Sequence, residues 1–406
     1  MGESHIFKVL FVVSLFEIIA FAVAFPLLPV LLTVPDSPLY ILPESYSVQF
    51  GIMLLGLITA AYPLGRFFST PILGQLSDKY GRKPLLMFSI AGTVLANIVF
   101  GLGVMTANIP LLVGSKLFDG LTGGNISVVQ AAVADISSNK QKAERFSKIG
   151  AAFGLGIALG PAIGGALSTG SIASFLAPST PFFFAACLSV VSFSLVYFLL
   201  QETSPLKAST SGYVEPFRKI FYYLFRSDIR SLFLTNLLFF VGFAFFTQFS
   251  SLILSSRFGL NQLQIGGYYL LIGFFLIISR FLVVPRLFSG REEKTLLLPG
   301  ITGTTIVLFL LYFIENLPTY IFTTGGFVLA NSITQVAIQS SVSIGSKETD
   351  QGTALGIYSS MRALGQAFPG IIAGTLAAAY SPDIALLLAS ITILFSGMGY
   401  LIARQN

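Results

Sequence analysis

Gly74-Gln75-Leu76-Ser77-Asp78-Lys79-Tyr80-Gly81-Arg82-Lys83 is a charged, glycine-marked turn set between two long apolar segments, residues 51–73 and 84–106. Each segment is long enough to cross a bilayer, which takes roughly 20 apolar residues. A charged turn between two spans sits at the membrane surface, and its bases Lys79, Arg82 and Lys83 mark that surface as cytoplasmic. The rest of the chain is read outward from this hairpin.

Composition agrees with a membrane protein. Of 406 residues, 54% are hydrophobic and only 10% charged, against roughly 25% charged in soluble domains. The net charge of +6 does not point to nucleic acid, because the bases follow the spans and form no patch interleaved with exposed aromatics. Cys187 is the single cysteine, so no internal disulfide and no cysteine metal site is expected. His5 is the only histidine and lies at the N-terminus, which leaves histidine out as an intramembrane proton carrier. No GxxxxGK[ST] loop is present, so ATP is not the expected energy source. There is no metal-ligand constellation and no nucleophile–base pair, and an enzyme is not expected. The apolar run from Ile6 to Leu32 is too long for a signal peptide and contains Glu17; it reads as a retained first span.

Twelve spans follow, at roughly 6–33, 49–76, 84–106, 109–135, 143–168, 179–200, 229–255, 262–288, 294–315, 318–344, 352–379 and 383–403. With both termini in the cytoplasm, Lys8, Lys79, Arg82, Lys83, Lys140, Lys142, Arg145, Lys148, Lys207, Arg218, Lys219, Arg226, Arg230, Arg286, Arg291, Lys294, Lys347 and Arg404 fall inside or at the inner interface, and of the bases outside the spans only Arg257 falls on the other side. Residues 34–48 form a proline-rich outer loop that carries only acids. Residues 201–228 hold a polar stretch and then the basic aromatic run FRKIFYYLFR, expected as an amphipathic helix on the inner surface. That segment divides the chain into an N-terminal bundle, 1–200, and a C-terminal bundle, 229–406.

The two halves echo one another. Arg66-Phe67 followed by Pro71 in span 2 recurs as Arg280-Phe281 followed by Pro285 in span 8, and Gly156–Pro161 in span 5 has a degenerate counterpart at Gly365–Gly370 in span 11. Internal repeats in a membrane protein point to a transporter whose site lies between the repeats near the midplane. The expected fold is therefore all-α, twelve transmembrane helices in two pseudo-symmetric six-helix bundles.

The opening turn, with Gly74, Asp78, Gly81, Arg82 and Lys83 in place, strongly resembles motif A of the major facilitator superfamily. The resemblance implies that Asp78 faces the start of span 11 and that Arg82 pairs with Asp135 at the inner end of span 4. Together they would latch the cytoplasmic side. In span 5, Gly156, Gly160, Pro161, Gly164 and Gly165 leave one helix face nearly without side chains, which on its own is a packing surface. The same residues resemble motif C, associated with antiporters, although Ser147 stands where its first glycine would be. Lys116, Asp119, Gly120, Gly123 and Gly124 resemble motif B, with Lys116 in place of the usual arginine, and the resemblance implicates that base in proton coupling. Glu17 ahead of Phe25-Pro26-Leu27-Leu28-Pro29 is similar to the first helix of tetracycline-resistance-type drug:proton antiporters.

Among the acids only Glu17 and Asp119 fall well inside a span. A proton-coupled carrier would use one of them, with Glu17 preferred and Asp119 held by Lys116 or Arg66. The intramembrane bases Arg66, Lys116, Arg280 and Arg362 outnumber these acids, a costly surplus unless something anionic visits. Snorkelling or backbone contact is the plainer reading of Arg66 and Arg280. Asn236, Gln248, Asn331 and Gln335 are candidates to line the cavity with these arginines. The reading is a proton-driven antiporter of the inner membrane, monomeric and without cofactor, exporting a small organic molecule such as a drug or amphiphilic metabolite. The alternative is an importer or exporter of an anionic metabolite or carboxylate siderophore.

Overall fold

The computed structural model describes residues 3–137, 139–168, 177–203, 218, 220–222, 230–289, 292–345 and 351–405, without the side chains of 139–144, 147, 293, 351–355 and 403–405. Every regular element among them is helical. Ten helices are long and apolar enough to cross a membrane; the two remaining spans of the expected twelve are 4 and 11. Span 11 is a continuous helix of 29 residues, Gln351–Ala379. It is long enough, but Arg362, Gln366 and its glycines and serines dilute its apolar character.

Span 4 corrects the expectation of one helix over 109–135. It is two, Ile109–Thr122 and Asn125–Asp135. The break falls on Gly123–Gly124, where the amide of Gly123 bonds the Gly120 carbonyl at 3.1 Å and that of Gly124 bonds Thr122 at 2.8 Å. These tightened turns replace the regular ladder. Span 1 is broken too, into Glu3–Ala22 and Leu27–Thr33. Pro26 has no N–H to continue the ladder, and Phe25 and Leu27 bond three residues back, to Ala22 and Ala24 at 3.1 Å each. Span 8 passes from Gln262–Ile278 through a π-turn, Ser279–Val283, to Val284–Phe288. Pro285, whose ring disfavours a regular ladder to the carbonyl four residues earlier, lies just past the widened turn.

The chain divides into two compact units: Met1–Pro43 with Ala61–Tyr213 and Asn261–Gly273, and Glu44–Ala60 with Val214–Leu260 and Phe274–Asn406. In the first, span 1 packs on spans 5 and 6, and span 3 on spans 4 and 6. In the second, span 7 packs on 11 and 12, and span 9 on 10 and 12, the same pairs six spans on. The repeat read from two short motifs is thus a repeat of packing. Each unit also takes in half of a helix from elsewhere in the chain. Residues 261–273 join the first unit against span 5, where Gly266 meets the Pro161 carbonyl, Gly165 the Gln262 carbonyl, and Gly273 lies on Ala158. Residues 44–60 join the second against span 11, where Gly56 lies on Gly370 and Gly374. Glycine on both sides lets backbone touch backbone.

Phe88, Phe198, Phe313, Phe322 and Phe395 are exposed, as suits helices whose solvent is hydrocarbon. The amphipathic run 217–226 lies largely outside the described residues; within it Ile220 is buried while Phe221 and Tyr222 are exposed.

Arg257, the one base against the charge rule, is neutralised locally. Its guanidinium donates to the carbonyls of Leu311 (2.9 Å), Ile314 (3.0 Å) and Tyr312 (3.1 Å) at the end of helix Glu293–Phe313. It also pairs with Asp383 at 2.7 Å, just before helix Ile384–Gln405. A cation at a helix C-terminus satisfies orphan carbonyls and the dipole together. Arg257→Met should therefore lower the stability of the purified protein by about 2 kcal/mol. Unfolding in detergent measures it; an unchanged midpoint would mean that the contacts pin nothing.

Candidate transport site

In the first unit the two candidate proton carriers are both buried, and their surroundings differ. Glu17 on span 1 accepts at Oε2 from Asn125 Nδ2 at 3.0 Å. Asn125 opens the second half of span 4, so the glycine break delivers that amide, whose own Oδ1 caps Ile126 N at 2.8 Å. Glu17 Oε1 has no hydrogen-bond partner, and neither do the buried hydroxyls of Ser189 and Ser192, which lie beside the carboxyl from span 6. These serines, one helical turn apart, went unnoticed in the sequence, where they sit in an ordinary apolar run.

Asp119 keeps different company: Thr93 and, electrostatically, Lys116 and Arg66. The expected hold by Lys116 is not an ion pair among the described residues. Lys116 Nζ sits instead over the Phe100 ring, 4.9 Å from its centroid, a contact that stabilises a buried cation. Arg66 is partly buried and lies close to Tyr62, which packs on Phe21. The glycines of span 5 fit against span 1: a Cβ on Gly160 would come within 2.7 Å of Ala22, one on Gly156 within 2.5 Å of Ile18, and Gly164 lies on the Val23 carbonyl. Span 5 therefore seats the helix that carries Glu17.

In the second unit the interior of the spans carries bases, and its acids lie at span ends and in loops. Arg280, on the π-turn of span 8, donates to Gln335 Oε1 at 3.2 Å, and Gln335 donates in turn to Asn331 Oδ1 at 3.1 Å. Arg362 lies over the Phe240 ring at 4.8 Å. Both arginines act on buried Tyr358, a residue the sequence reading passed over. Asn236 and Gln248 tie span 7 to the backbone of span 11, donating to the carbonyls of Tyr358 (3.1 Å) and Gln366 (2.7 Å). No Asp or Glu falls inside spans 7 to 12 away from their ends.

At the charged turn Arg82 bonds Asp135 through Nε at 2.9 Å, Asp78 at 2.7 Å and Ser77 at 2.5 Å, with only 8% of its side chain exposed. The side chains at the start of span 11, where Asp78 was expected to face, lie outside those described. A further acid completes the turn. Glu202, just beyond span 6, accepts from the amides of Arg82 (2.7 Å) and Lys83 (3.2 Å) and so caps helix Arg82–Met105. Gly81 is required twice over: its φ is +100°, and a Cβ there would overlap the Glu202 carboxylate. Lys83 Nζ reaches the Tyr197 carbonyl at 2.8 Å. The only sequence sign of Glu202 is that it is the first acid after a long apolar run.

Helices of spanning length in a repeated arrangement, with ionisable side chains set inside the spans of each unit, define a multi-pass membrane transporter. The chain belongs to the Major Facilitator Superfamily, whose model matches residues 10–370. It is 28% identical to the tetracycline resistance protein, class B, of Escherichia coli over 367 residues, 87% of this chain and 84% of that one. It is 25% identical to major facilitator superfamily domain-containing protein 10 of Mus musculus over 92% of this chain and 87% of that one. The crystal structure of the human organic anion transporter MFSD10 (TETRAN) aligns over 98% of this chain and 100% of its own, with a TM-score of 0.74 at 22% identity. A small-molecule substrate follows from the family, and enzymatic activity does not.

Arg82→Ala and Asp135→Ala should each impair transport, because each strands the other's charge. The exchange Arg82→Asp with Asp135→Arg should recover part of the loss in a vesicle flux assay. No recovery would remove the pair from the switching mechanism.

Proposed function

We propose that this chain is a proton-coupled antiporter that exports a small amphiphilic organic anion by alternating access of its halves, 1–200 and 229–406. The observation that carries the anionic substrate is the placement of Arg280, bonded to Gln335, and Arg362, over the Phe240 ring, in a unit whose spans 7 to 12 contain no interior acid. Two guanidiniums inside the spans of one unit add positive charge to a low-dielectric setting, and a visiting carboxylate would be met there by charge-assisted hydrogen bonds. Phe240, Phe243, Phe327 and Phe246 form a chain of ring contacts, two edge-on and one stacked, that starts beneath Arg362 and suits an apolar body behind the charge. Gln335 and Asn331 extend the polar contact.

Proton coupling rests on Glu17. An ionised carboxylate with one oxygen unpartnered and no cation bonded to it is costly inside a membrane. Ser189 and Ser192 can either donate to the carboxylate or accept from the acid, so their hydroxyls suit both protonation states. Asp119 with Arg66 and Lys116 would then be a fixed charge cluster, and Arg82–Asp135 a latch on the cytoplasmic side. The energy source is the proton gradient across the inner membrane, with no cofactor, a monomeric protein and both termini cytoplasmic. The tetracycline-resistance relatives and the glycine face of span 5 support export. The name organic anion transporter, borne by MFSD10, supports the charge of the cargo. A carboxylate siderophore belongs to the same chemical class. An uncharged drug would leave Arg280 and Arg362 without a role.

Vesicles loaded with a carboxylate dye and given a pH gradient test the reading. Efflux should follow the gradient. Glu17→Gln should abolish that dependence; if the dependence persists unchanged, the role passes to Asp119. Arg280→Gln and Arg362→Gln should each raise the KM for the anion roughly tenfold, the loss of one charge-assisted bond. Equal handling of an uncharged analogue by wild type would remove the anionic assignment, and gradient-insensitive flux would remove the antiport.

A further inference from the structure

The side chain of Asn125 is fixed at both ends. It is 7% exposed and opens the second half of span 4. Its Oδ1 accepts from the Ile126 amide at 2.8 Å, which the nitrogen of a carboxamide cannot do. Nδ2 is therefore turned the other way, onto Glu17 Oε2 at 3.0 Å. The break that aims it is also held. Ser69 on span 2 donates to the Gly120 carbonyl at 2.8 Å and Ser89 on span 3 to the Thr122 carbonyl at 2.5 Å, so carbonyls that end the first half-helix keep partners outside the regular ladder. Glu17 also meets Ser189 and Ser192, neighbours on one face of span 6. One turn from Glu17 along span 1 and one turn from Ser192 along span 6, Val13 and Val196 enter a buried apolar cluster with Ile90, Val128 and Ala132. Apolar packing adjoins the carboxyl there, and the polar contacts come from Asn125 and the two serines.

We infer that Asn125 is a positioning residue that decides which oxygen of Glu17 takes the proton: Oε1 becomes the hydroxyl of the acid and Oε2 its carbonyl. This rests on the reading of Glu17 as the proton carrier and names the atom that carries it. An amide N–H donates and cannot accept. A proton on Oε2 would set O–H against N–H and leave the amide without its acceptor, a costly loss for a buried donor. A proton on Oε1 leaves the Asn125 bond intact in both charge states. Oε1 is the oxygen without a hydrogen-bond partner, so binding a proton there breaks no existing bond. The serine hydroxyls can accept from the new O–H, and can donate to the oxygen once the proton has left. Glu17 thus exchanges its proton at the oxygen that Asn125 does not hold, while span 4 keeps its grip on the acid throughout.

Infrared difference spectroscopy of the purified full chain between alkaline and acidic pH tests this, because it reads the C=O stretch of each carboxyl that gains a proton. Wild type should show a band that Glu17→Gln removes. Asn125→Leu should move that band to higher frequency, since the carbonyl oxygen has lost its donor. Asn125→Ser should move it the same way: its hydroxyl can still accept from the Ile126 amide and hold the half-helix, but stops short of Glu17. Asn97→Leu, which removes a buried amide bonded to the Thr93 carbonyl instead, should leave the band in place. A band that Glu17→Gln removes but both Asn125 variants leave unmoved, or that Asn97→Leu moves equally, would overturn this inference alone. A spectrum from which Glu17→Gln removes nothing would overturn the reading of Glu17 as the carrier, and this assignment with it.

Discussion

Glu17 holds one carboxylate oxygen on Asn125 and leaves the other without a hydrogen bond, inside a helical body that has hydrocarbon for solvent. Nearly every other feature of the first unit bears on that arrangement. The glycine face of span 5 brings its backbone onto span 1 around Ile18, Ala22 and Val23 and so fixes the helix that carries the acid. The glycine break in span 4 turns Asn125 toward it. Span 6 places two hydroxyls beside it. A buried acid with adaptable neighbours can change its charge at a tolerable cost, whereas Arg82, with Asp78 and Asp135 both bonded to it, is held in one state.

Each of the three irregular stretches of backbone lies in a span that carries an ionisable group. Asp119 lies one turn before the break in span 4, Arg280 sits within the π-turn of span 8, and Glu17 precedes the proline turn of span 1. In lipid an interrupted helix survives only where protein surrounds it, so such breaks collect in the interior. Segregation of charge adds to this: the first unit has acids and bases inside its spans, and the interiors of spans 7 to 12 carry bases but no acid. That asymmetry, laid over a symmetric packing scheme, assigns the proton to one repeat and the anion to the other in the proposed cycle.

Much of the fold was legible in the sequence because hydropathy and the positive-inside rule act on whole spans. The repeat was legible from Arg66 and Arg280, although the second copy lies in a π-turn while the first, with Pro71 at the same spacing, stays in the regular helix Val48–Tyr80. The continuous span 4 was misread because hydropathy averages over a glycine pair; Gly123–Gly124 beside Asn125 was the available signal. Arg82–Asp135 was foreseen through the family resemblance. Glu202 was not, because a cap formed across 120 residues leaves no local pattern. Ser189 and Ser192 were invisible for the same reason: their meaning comes from facing Glu17, not from their own neighbours. Arg257 broke the charge rule for a reason only packing reveals, since the carbonyls and the carboxylate that hold it come from the ends of spans 9 and 12.

Proton release on substrate binding tests the central claim most directly. Purified protein in weakly buffered detergent, with a pH indicator, receives the carboxylate dye that it transports. If anion binding in one repeat drives a carboxyl in the other to give up its proton, wild type should release close to one proton per bound anion, and Glu17→Gln should bind the anion and release none. An identical proton signal from Glu17→Gln, or binding by wild type with no proton exchanged, would contradict it.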